Sequence, residues 1–270
     1  MEIPTQISFK GELMEYLIVM RVIDRSPKVN YIHMTMQSLI SSGLFRSEIP
    51  FELHLFDGGS PSIDYLNQYK ELKNLFIHKT NLEKKITRNE NWLRSVNHIK
   101  YTNHQYVIQL EDDLLFCDKW LESIDAYITK HQGLIDNNPM TSFYAAYKEI
   151  ERRTKRKIEH WPGTYQQFYG TQCVLFKRDI ALKVVKYIRD SLVNFDNYDF
   201  KFRKKGHIPH GMKGACIDLW LQEWGEHEYP HKSFILTCPS FVQHIGAAEG
   251  KHLHQSHFLG ENWSYINKEK

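Results

Sequence analysis

Residues 106–114 read Tyr-Val-Ile-Gln-Leu-Glu-Asp-Asp-Leu: a short apolar run followed by three adjacent carboxylates. The run from Tyr106 to Leu110 is aromatic and β-branched, which predicts a buried strand. Glu111, Asp112 and Asp113 then stand at its carboxyl end. Carboxylates packed this closely repel one another unless solvent or a cation offsets them. Hard oxygen ligands suit Mg²⁺ or Mn²⁺, ions that keep coordination positions free for substrate phosphates. The competing reading is a solvated turn, or caps for the helix that starts after Asp118.

Upstream, the same alternation repeats. Tyr16–Ile23 (YLIVMRVI) reads as a buried strand, and Ile32, Met36, Leu39, Ile40 and Leu44 recur at helical spacing around the break at Gly43. Phe51–Asp57 is a second strand, closed by the turn Gly58-Gly59-Ser60-Pro61. Asn74–His78 is a third, and residues 88–103 suit a helix with Trp92, Val96 and Ile99 on one side. Strand alternating with helix predicts an α/β fold, a mostly parallel sheet flanked by helices. In such sheets ligands bind beyond the carboxyl ends of the strands. Both Asp57-Gly-Gly-Ser and Glu111-Asp-Asp fall at such ends.

Downstream the pattern is less regular. Thr141–Tyr147, Phe168–Phe176 and Ser233–His244 read as strands; Arg178–Asp190 and Ile217–Trp224 read as helices. No repeat or Pro-rich linker divides the chain. Its 270 residues suit a single domain, 1–270, with residues 1–115 and 116–270 as two packed halves. With 41% hydrophobic and 25% charged residues, the chain can bury a large core without disulfides. Cys117, Cys173, Cys216 and Cys238 form no CxxC pair and read as reduced thiols. No apolar stretch approaches a membrane span, and the first residues lack a signal-peptide core, so a cytoplasmic location is expected.

Net charge is only +3, which does not by itself imply nucleic-acid binding. The cations are clustered, however. Lys148, Arg152, Arg153, Lys155, Arg156 and Lys157 form one run; Lys201, Arg203, Lys204 and Lys205 form a second.

The stretch from Tyr106 to Leu114 resembles the metal-binding DXD region of GT-A fold glycosyltransferases. Asn91-Trp-Leu-Arg94 is similar to the Asn-x-x-Arg helix that precedes this motif in some members. Pro239-Ser-Phe-Val-Gln-His244-Ile-Gly246 resembles a segment near the C-terminus of N-acetylglucosaminyltransferase IV-like enzymes, and Asp57-Gly-Gly-Ser60 the Asp-x-Gly-Ser turn of family 2 enzymes. The resemblance implies a Rossmann-like sheet with a smaller acceptor-side sheet and helices. It makes residues 1–115 the nucleotide-sugar-binding half and residues 116–270 the acceptor and catalytic half. It also implies transfer of a sugar from a nucleotide-diphosphate donor, UDP-linked by analogy, with Mn²⁺ or Mg²⁺ as cofactor. On this reading Glu111, Asp113 and His244 hold the metal, and Asp112 faces the cofactor. Asp24 and Arg25 line the nucleoside pocket, Asp57 contacts the nucleobase or ribose, and Arg94 faces the diphosphate or braces the acids. Alone, Asp57 before two glycines is also an ordinary turn former, and Arg94 suits a solvated helix face.

Eight of the 15 histidines lie between His207 and His257, yet no HExxH pattern marks a zinc hydrolase. His252, His254 and His257 are alternatives to His244. Asp218 opens Ile-Asp-Leu-Trp-Leu-Gln-Glu-Trp and is the candidate general base of an inverting transfer, with Glu223 and Asp196 behind it. A first-turn acid is also favoured simply by the helix dipole. Trp220 and Trp224 are expected in the core on one helical face, with stacking on a sugar as the other option.

Two other classes compete. A nucleotidyltransferase of similar fold needs a Gly-rich basic loop after the first strand, and Arg21-Val-Ile-Asp-Arg-Ser-Pro contains no glycine. A non-catalytic nucleic-acid-binding module would use the two basic runs, but they lack interleaved aromatics. The default reading of these runs is a solvated cationic loop; the alternative for the second half is a polyanionic acceptor, a nucleic acid bearing a hydroxylated base, a phosphate-containing glycan or an anionic membrane surface.

Overall fold

The computed structural model describes residues 16–28, 30–80, 86–144, 159–165, 168, 171–193, 217–237 and 240–245. Its strands are β1 (Tyr16–Val22), β2 (Phe51–Asp57), β3 (Leu75–His78), β4 (Tyr106–Leu110), β5 (Leu114–Phe116), β6 (Thr141–Ser142), β7 (His160–Gly163), β8 (Cys173–Lys177), β9 (Phe234–Thr237) and β10 (Val242–His244). The α-helices are α1 (Ile32–Ser41), α2 (Arg88–Asn97), α3 (Trp120–Lys130), α4 (Gln132–Asn137), α5 (Arg178–Val193) and α6 (Ile217–Glu228). Among the described residues, no helix is long and apolar enough to cross a membrane.

Eight strands form one sheet in the order β3-β2-β1-β4-β8-β6-β9-β7, and β10 pairs with β5 in a small second sheet. Strands β1 to β4 are mutually parallel, whereas β8 runs antiparallel to both β4 and β6. The apolar character of β1 follows from burial on both faces. Tyr16, Ile18, Met20 and Val22 enter one core with Leu53, Leu55 and Ile108; Leu17 and Val19 enter the other with Trp92, Val107 and Phe176. The larger side chains at the centre, Trp92, Trp120, Trp220 and Trp224, are fully buried. Trp220 and Trp224 are therefore core residues of α6, and sugar stacking is not available to them.

Two sequence expectations are corrected. Ser233–His244 is not one strand. It divides into β9, parallel to β6 in the large sheet, and β10, antiparallel to β5. Between them Ser240 donates to the Phe143 carbonyl, and Phe241 N–H bonds the same group, which fixes the crossing. The strand predicted over Phe168–Phe176 is described as a strand only from Cys173, where pairing with β4 begins at Leu110. Strands β5, of three residues, and β7, whose His-Trp-Pro-Gly carries no apolar alternation, escaped the sequence reading.

Chain order reverses across β1: the chain passes outward to β2 and β3, then returns to β4 on the other side. That reversal opens a crevice beyond the carboxyl ends of β1 and β4. Register sets its walls, since Met20 pairs with Leu110 and Val22 with Asp57. Arg21 and Glu111 therefore leave neighbouring strands side by side.

Candidate active site

Each carboxylate of the triplet meets one base. Glu111 Oε1 accepts from Arg21 Nη2 at 2.9 Å, and Thr171 Oγ1 donates to the same oxygen at 2.6 Å. Arg25 forks onto Asp112, Nη1 to Oδ2 at 2.6 Å and Nη2 to Oδ1 at 2.7 Å. His244 Nε2 lies 3.0 Å from Asp113 Oδ2. This pairing offsets the repulsion inherent in the sequence. Such charge-assisted bonds are stronger than neutral ones, and the forked Arg25–Asp112 pair also fixes orientation.

The backbone beneath the triplet is clamped by α1. Thr35 Oγ1 donates to the Asp112 carbonyl at 2.8 Å and accepts from Leu114 N–H at 3.0 Å, while Ser38 Oγ accepts from Phe116 N–H at 2.8 Å. Thr35 and Ser38 are one helical turn apart and fully buried, so these bonds satisfy groups that would otherwise be costly to bury. On the far side, Glu111 N–H bonds the Gln172 carbonyl and Ile245 N–H bonds the Asp113 carbonyl. The small sheet places His244 opposite Leu114, next to Asp113.

Burial alone would raise the Asp113 carboxyl. The His244 hydrogen bond and the charges of His244, Arg25 and Arg21 outweigh it and hold Asp113 below the usual carboxylate range. Asp112 goes the other way: burial raises it despite the opposing pull of Arg25.

Glu111, Asp113 and His244 can each offer one ligand atom, and those atoms lie within 4.8 Å of one another. Asp113 Oδ1 is buried and without a hydrogen-bond partner, an acceptor lobe left for something else. Two carboxylates and one imidazole form a donor set that fits Mn²⁺ or Mg²⁺, and Mn²⁺ better because of the nitrogen. The three residues named from sequence thus converge although His244 is separated from Asp113 by 131 positions.

The remaining candidates are placed differently. Asp57 has no exposed surface: Oδ2 accepts from Gly59 and Ser60 N–H at 2.9 Å each, and Oδ1 from Ser60 Oγ and from Tyr65 OH at 2.9 Å. The carboxylate shapes its own turn, where Gly59 adopts φ 93°, and presents no free oxygen to a nucleobase or ribose. Asp24 Oδ1 accepts from Ser26 N–H and Asn30 Nδ2, which folds its own loop, and the Ser26 hydrogen bonds hold its carboxyl low; Asp24 N–H bonds Ser60 Oγ. Arg25 and Asp112, both expected at the cofactor, are paired with each other.

Arg94 does not touch the triplet. It donates to the Asp57 carbonyl at 3.4 Å, to the Lys79 carbonyl at 3.0 Å and to Thr80 Oγ1, with its guanidinium 5.5 Å from the centre of the Phe56 ring. Asn91, one turn earlier on the same face, donates to the Phe56 carbonyl at 3.0 Å. The Asn-x-x-Arg pattern is thus a clamp of α2 on the end of β2. The helix begins there because Thr87 and Glu90 form a reciprocal capping box.

Asp218 lies in the first turn of α6, between Ile217 and the buried Trp220. Glu223 on the same helix is fully buried. Asp196, His252, His254, His257, Cys216, Cys238, Pro239, Gly246 and both basic runs lie outside the described residues. Cys117 and Cys173 are free and buried.

Sequence reasoning missed Arg21 and Thr171. For Arg21 a signal was present: a lone cation inside a strand buried on both faces is expensive unless a carboxylate waits for it. Thr171 carried none, because its partner lies 60 residues away.

No protein-family profile matches this sequence, and no curated protein matches it. Solved structures do match. S. aureus TarS 1–349 in complex with UDP-GlcNAc aligns at a TM-score of 0.50 and 13% identity, covering 88% of this chain and 62% of that one. GalNAc-T7 with UDP, GalNAc and Mn²⁺ aligns at a TM-score of 0.51 and 14% identity, over 86% of this chain and 43% of that one. The chain has the GT-A fold and spans less than two thirds of the length of each of these matched chains.

Proposed function

We propose that this chain is a metal-dependent glycosyltransferase that moves a sugar from a nucleotide-diphosphate donor to a hydroxyl acceptor. One observation carries the reading: Glu111, Asp113 and His244 gather at the switch point of a GT-A sheet, with a buried carboxylate oxygen left unpartnered. Folds host many chemistries, so the site rather than the sheet supplies the argument.

Glu111, Asp113 and His244 would hold Mn²⁺ or Mg²⁺. When bound, the ion neutralises charge that grows on the diphosphate as the sugar–phosphate bond breaks. Arg21 and Thr171 orient Glu111, and Arg25 holds Asp112, which preorganises the triplet for a donor. The Asp24–Arg25 loop and the Asp57–Ser60 turn, joined by Asp24 N–H to Ser60 Oγ, flank the nucleoside side. Asp57 acts there by shaping the turn, and Arg94 by fixing the carbonyl of Asp57. Asp218 takes the proton from the acceptor hydroxyl as its oxygen attacks the anomeric carbon, with inversion. Residues 1–115 serve the donor and 116–270 the acceptor. The basic runs suit a polyanionic acceptor, nucleic acid or phosphate-bearing glycan.

TarS has been solved with UDP-GlcNAc and GalNAc-T7 with UDP, GalNAc and Mn²⁺, which makes UDP-sugars the first donors to try. The test is release of free UDP from a UDP-sugar panel, with Mn²⁺ or with EDTA. Metal-dependent release from one donor supports the proposal. Absence of release and of UDP binding across the panel removes it.

A further inference from the structure

Three histidines outside the proposed active site converge at the β3 end of the large sheet. His54 lies in β2 and His78 ends β3; the register pairs His54 with Phe76 and Phe56 with His78, so positions 54, 56, 76 and 78 share one face. His98 opens the 3₁₀ turn after α2 and packs on that face. Ring centroids of His54 lie 5.0 Å from His78 and 4.6 Å from His98, and His78 lies 4.9 Å from His98. Each offers one ring nitrogen, and the three nitrogens lie within 4.8 Å of one another.

From this we infer that His54, His78 and His98 form a second metal site, built for a borderline cation such as Zn²⁺. The rings do more than stack: His54 Nδ1 and His78 Nε2 face one another at 2.7 Å, a hydrogen bond in the metal-free protein. The tautomer of His54 is set from behind, since Glu52 Oε2 sits 2.9 Å from His54 Nε2 and holds the ring proton there. Nδ1 then accepts the His78 Nε2–H, and a bound cation would take the place of that proton between the two nitrogens. A carboxylate behind a histidine is the usual outer partner of an imidazole bound to zinc, where it orients the ring and raises its basicity.

A buried fourth histidine extends the arrangement. His104 is 2% exposed, neither of its ring nitrogens has a hydrogen-bond partner, and Nε2 lies 3.9 Å from the same Glu52 oxygen. Arg94 stands near enough to oppose a cation, and Glu52 offsets it. Three neutral imidazoles suit zinc far better than Mg²⁺ or Mn²⁺, and one position remains for water. Nitrogens in a tetrahedral zinc site stand about 3.4 Å apart, so His54 and His78 need to separate by only several tenths of an ångström.

The location gives the ion a structural task. It would tie β2, the edge strand β3 and the turn after α2 together beneath Phe56, whose ring stacks on His78 at 4.4 Å. Phe56 immediately precedes Asp57, so the site braces the turn on the donor side.

The test does not depend on the glycosyltransferase reading. The full chain, stripped with EDTA and desalted, is titrated with Zn²⁺ and separately with Co²⁺, in the Asp113→Ala/His244→Ala background that removes the other candidate site. One equivalent of Zn²⁺ and visible Co²⁺ bands of a four-coordinate site are expected, both lost on adding His78→Gln/His98→Gln. Retention of the equivalent in that variant, or no stoichiometric Zn²⁺ in the background protein, overturns the proposal. If the combined variant does not fold, His98→Gln alone decides: an affinity loss of tenfold or more supports the site, and unchanged affinity overturns it.

Discussion

His244 Nε2 lies 3.0 Å from Asp113 Oδ2, and the antiparallel pair of β10 with β5 makes that contact. The same pairing bonds Ile245 N–H to the Asp113 carbonyl, so both the side chain and the backbone of Asp113 are held by one short strand. A three-residue strand has little stability of its own. It persists here because Val242 and Leu114 are buried in the common core.

Removing any member of the Glu111–Asp113–His244 set should uncouple nucleotide from metal. Asp113→Ala should abolish transfer and Glu111→Ala nearly so. His244→Ala should leave UDP binding in EDTA unchanged but remove the gain that Mn²⁺ confers. Calorimetric titration of UDP with and without Mn²⁺ reads this directly. Equal metal-linked gains in wild type and His244→Ala would return the histidine to a structural role.

The Arg25–Asp112 pair makes a stability prediction. Asp112 retains only 7% of its side-chain exposure, so losing its partner strands a buried charge. Arg25→Met should cost roughly 3 kcal/mol, the lower end for breaking a buried pair because Arg25 is partly exposed. Arg25→Met/Asp112→Leu should recover most of that loss. Urea denaturation of the two variants and wild type measures the difference; equal stability of all three would show that the pair is solvated.

Asp218→Asn should bind donor normally while transfer slows by roughly 10²-fold or more, the usual cost of losing a general base. Single-turnover rates at saturating donor separate this from a binding defect. A normal rate places the base elsewhere.

Acid should weaken the edge carrying the histidine cluster. Burial, with neighbouring charges, pulls His78 to about 3 and both His98 and His104 to about 4. Unfolded, each returns to about 6.5. Between those values the unfolded chain binds more protons than the folded one, so stability falls as pH drops through roughly 6.5 toward 4. In EDTA, the urea midpoint should drop more between pH 7.5 and pH 5 in wild type than in His78→Gln/His98→Gln. Parallel losses would assign the acid sensitivity to other groups.

The two basic runs predict salt dependence. If they contact a polyanionic acceptor, transfer should weaken steeply with salt, because phosphate contacts release counterions. Changing Arg152, Arg153, Lys155 and Arg156 together to Ser should raise acceptor KM and flatten that dependence, with donor hydrolysis little affected. Unaltered acceptor kinetics across salt would favour a neutral acceptor.

Read alone, the sequence determined the elements whose signals are local. The apolar runs of β1, β2 and β4, the helical spacing of α1 and α2, and the acids at a strand's end need only neighbouring residues. Resemblance then named His244 beside Glu111 and Asp113. Tertiary structure alone decided which base meets which acid, since Arg21, Thr171 and His244 reach the triplet from three separate strands and loops. It also turned Asp57 inward, because Gly59, Ser60 and Tyr65 supply all the donors that a buried carboxylate requires. The His54–His78–His98 cluster belongs to the same class: parallel register and a turn after α2 bring together residues whose spacing, 24 and 20 positions, carries no periodic signal. Local patterns report which face of an element is buried, whereas a site is a coincidence in space that only long-range strand pairing fixes.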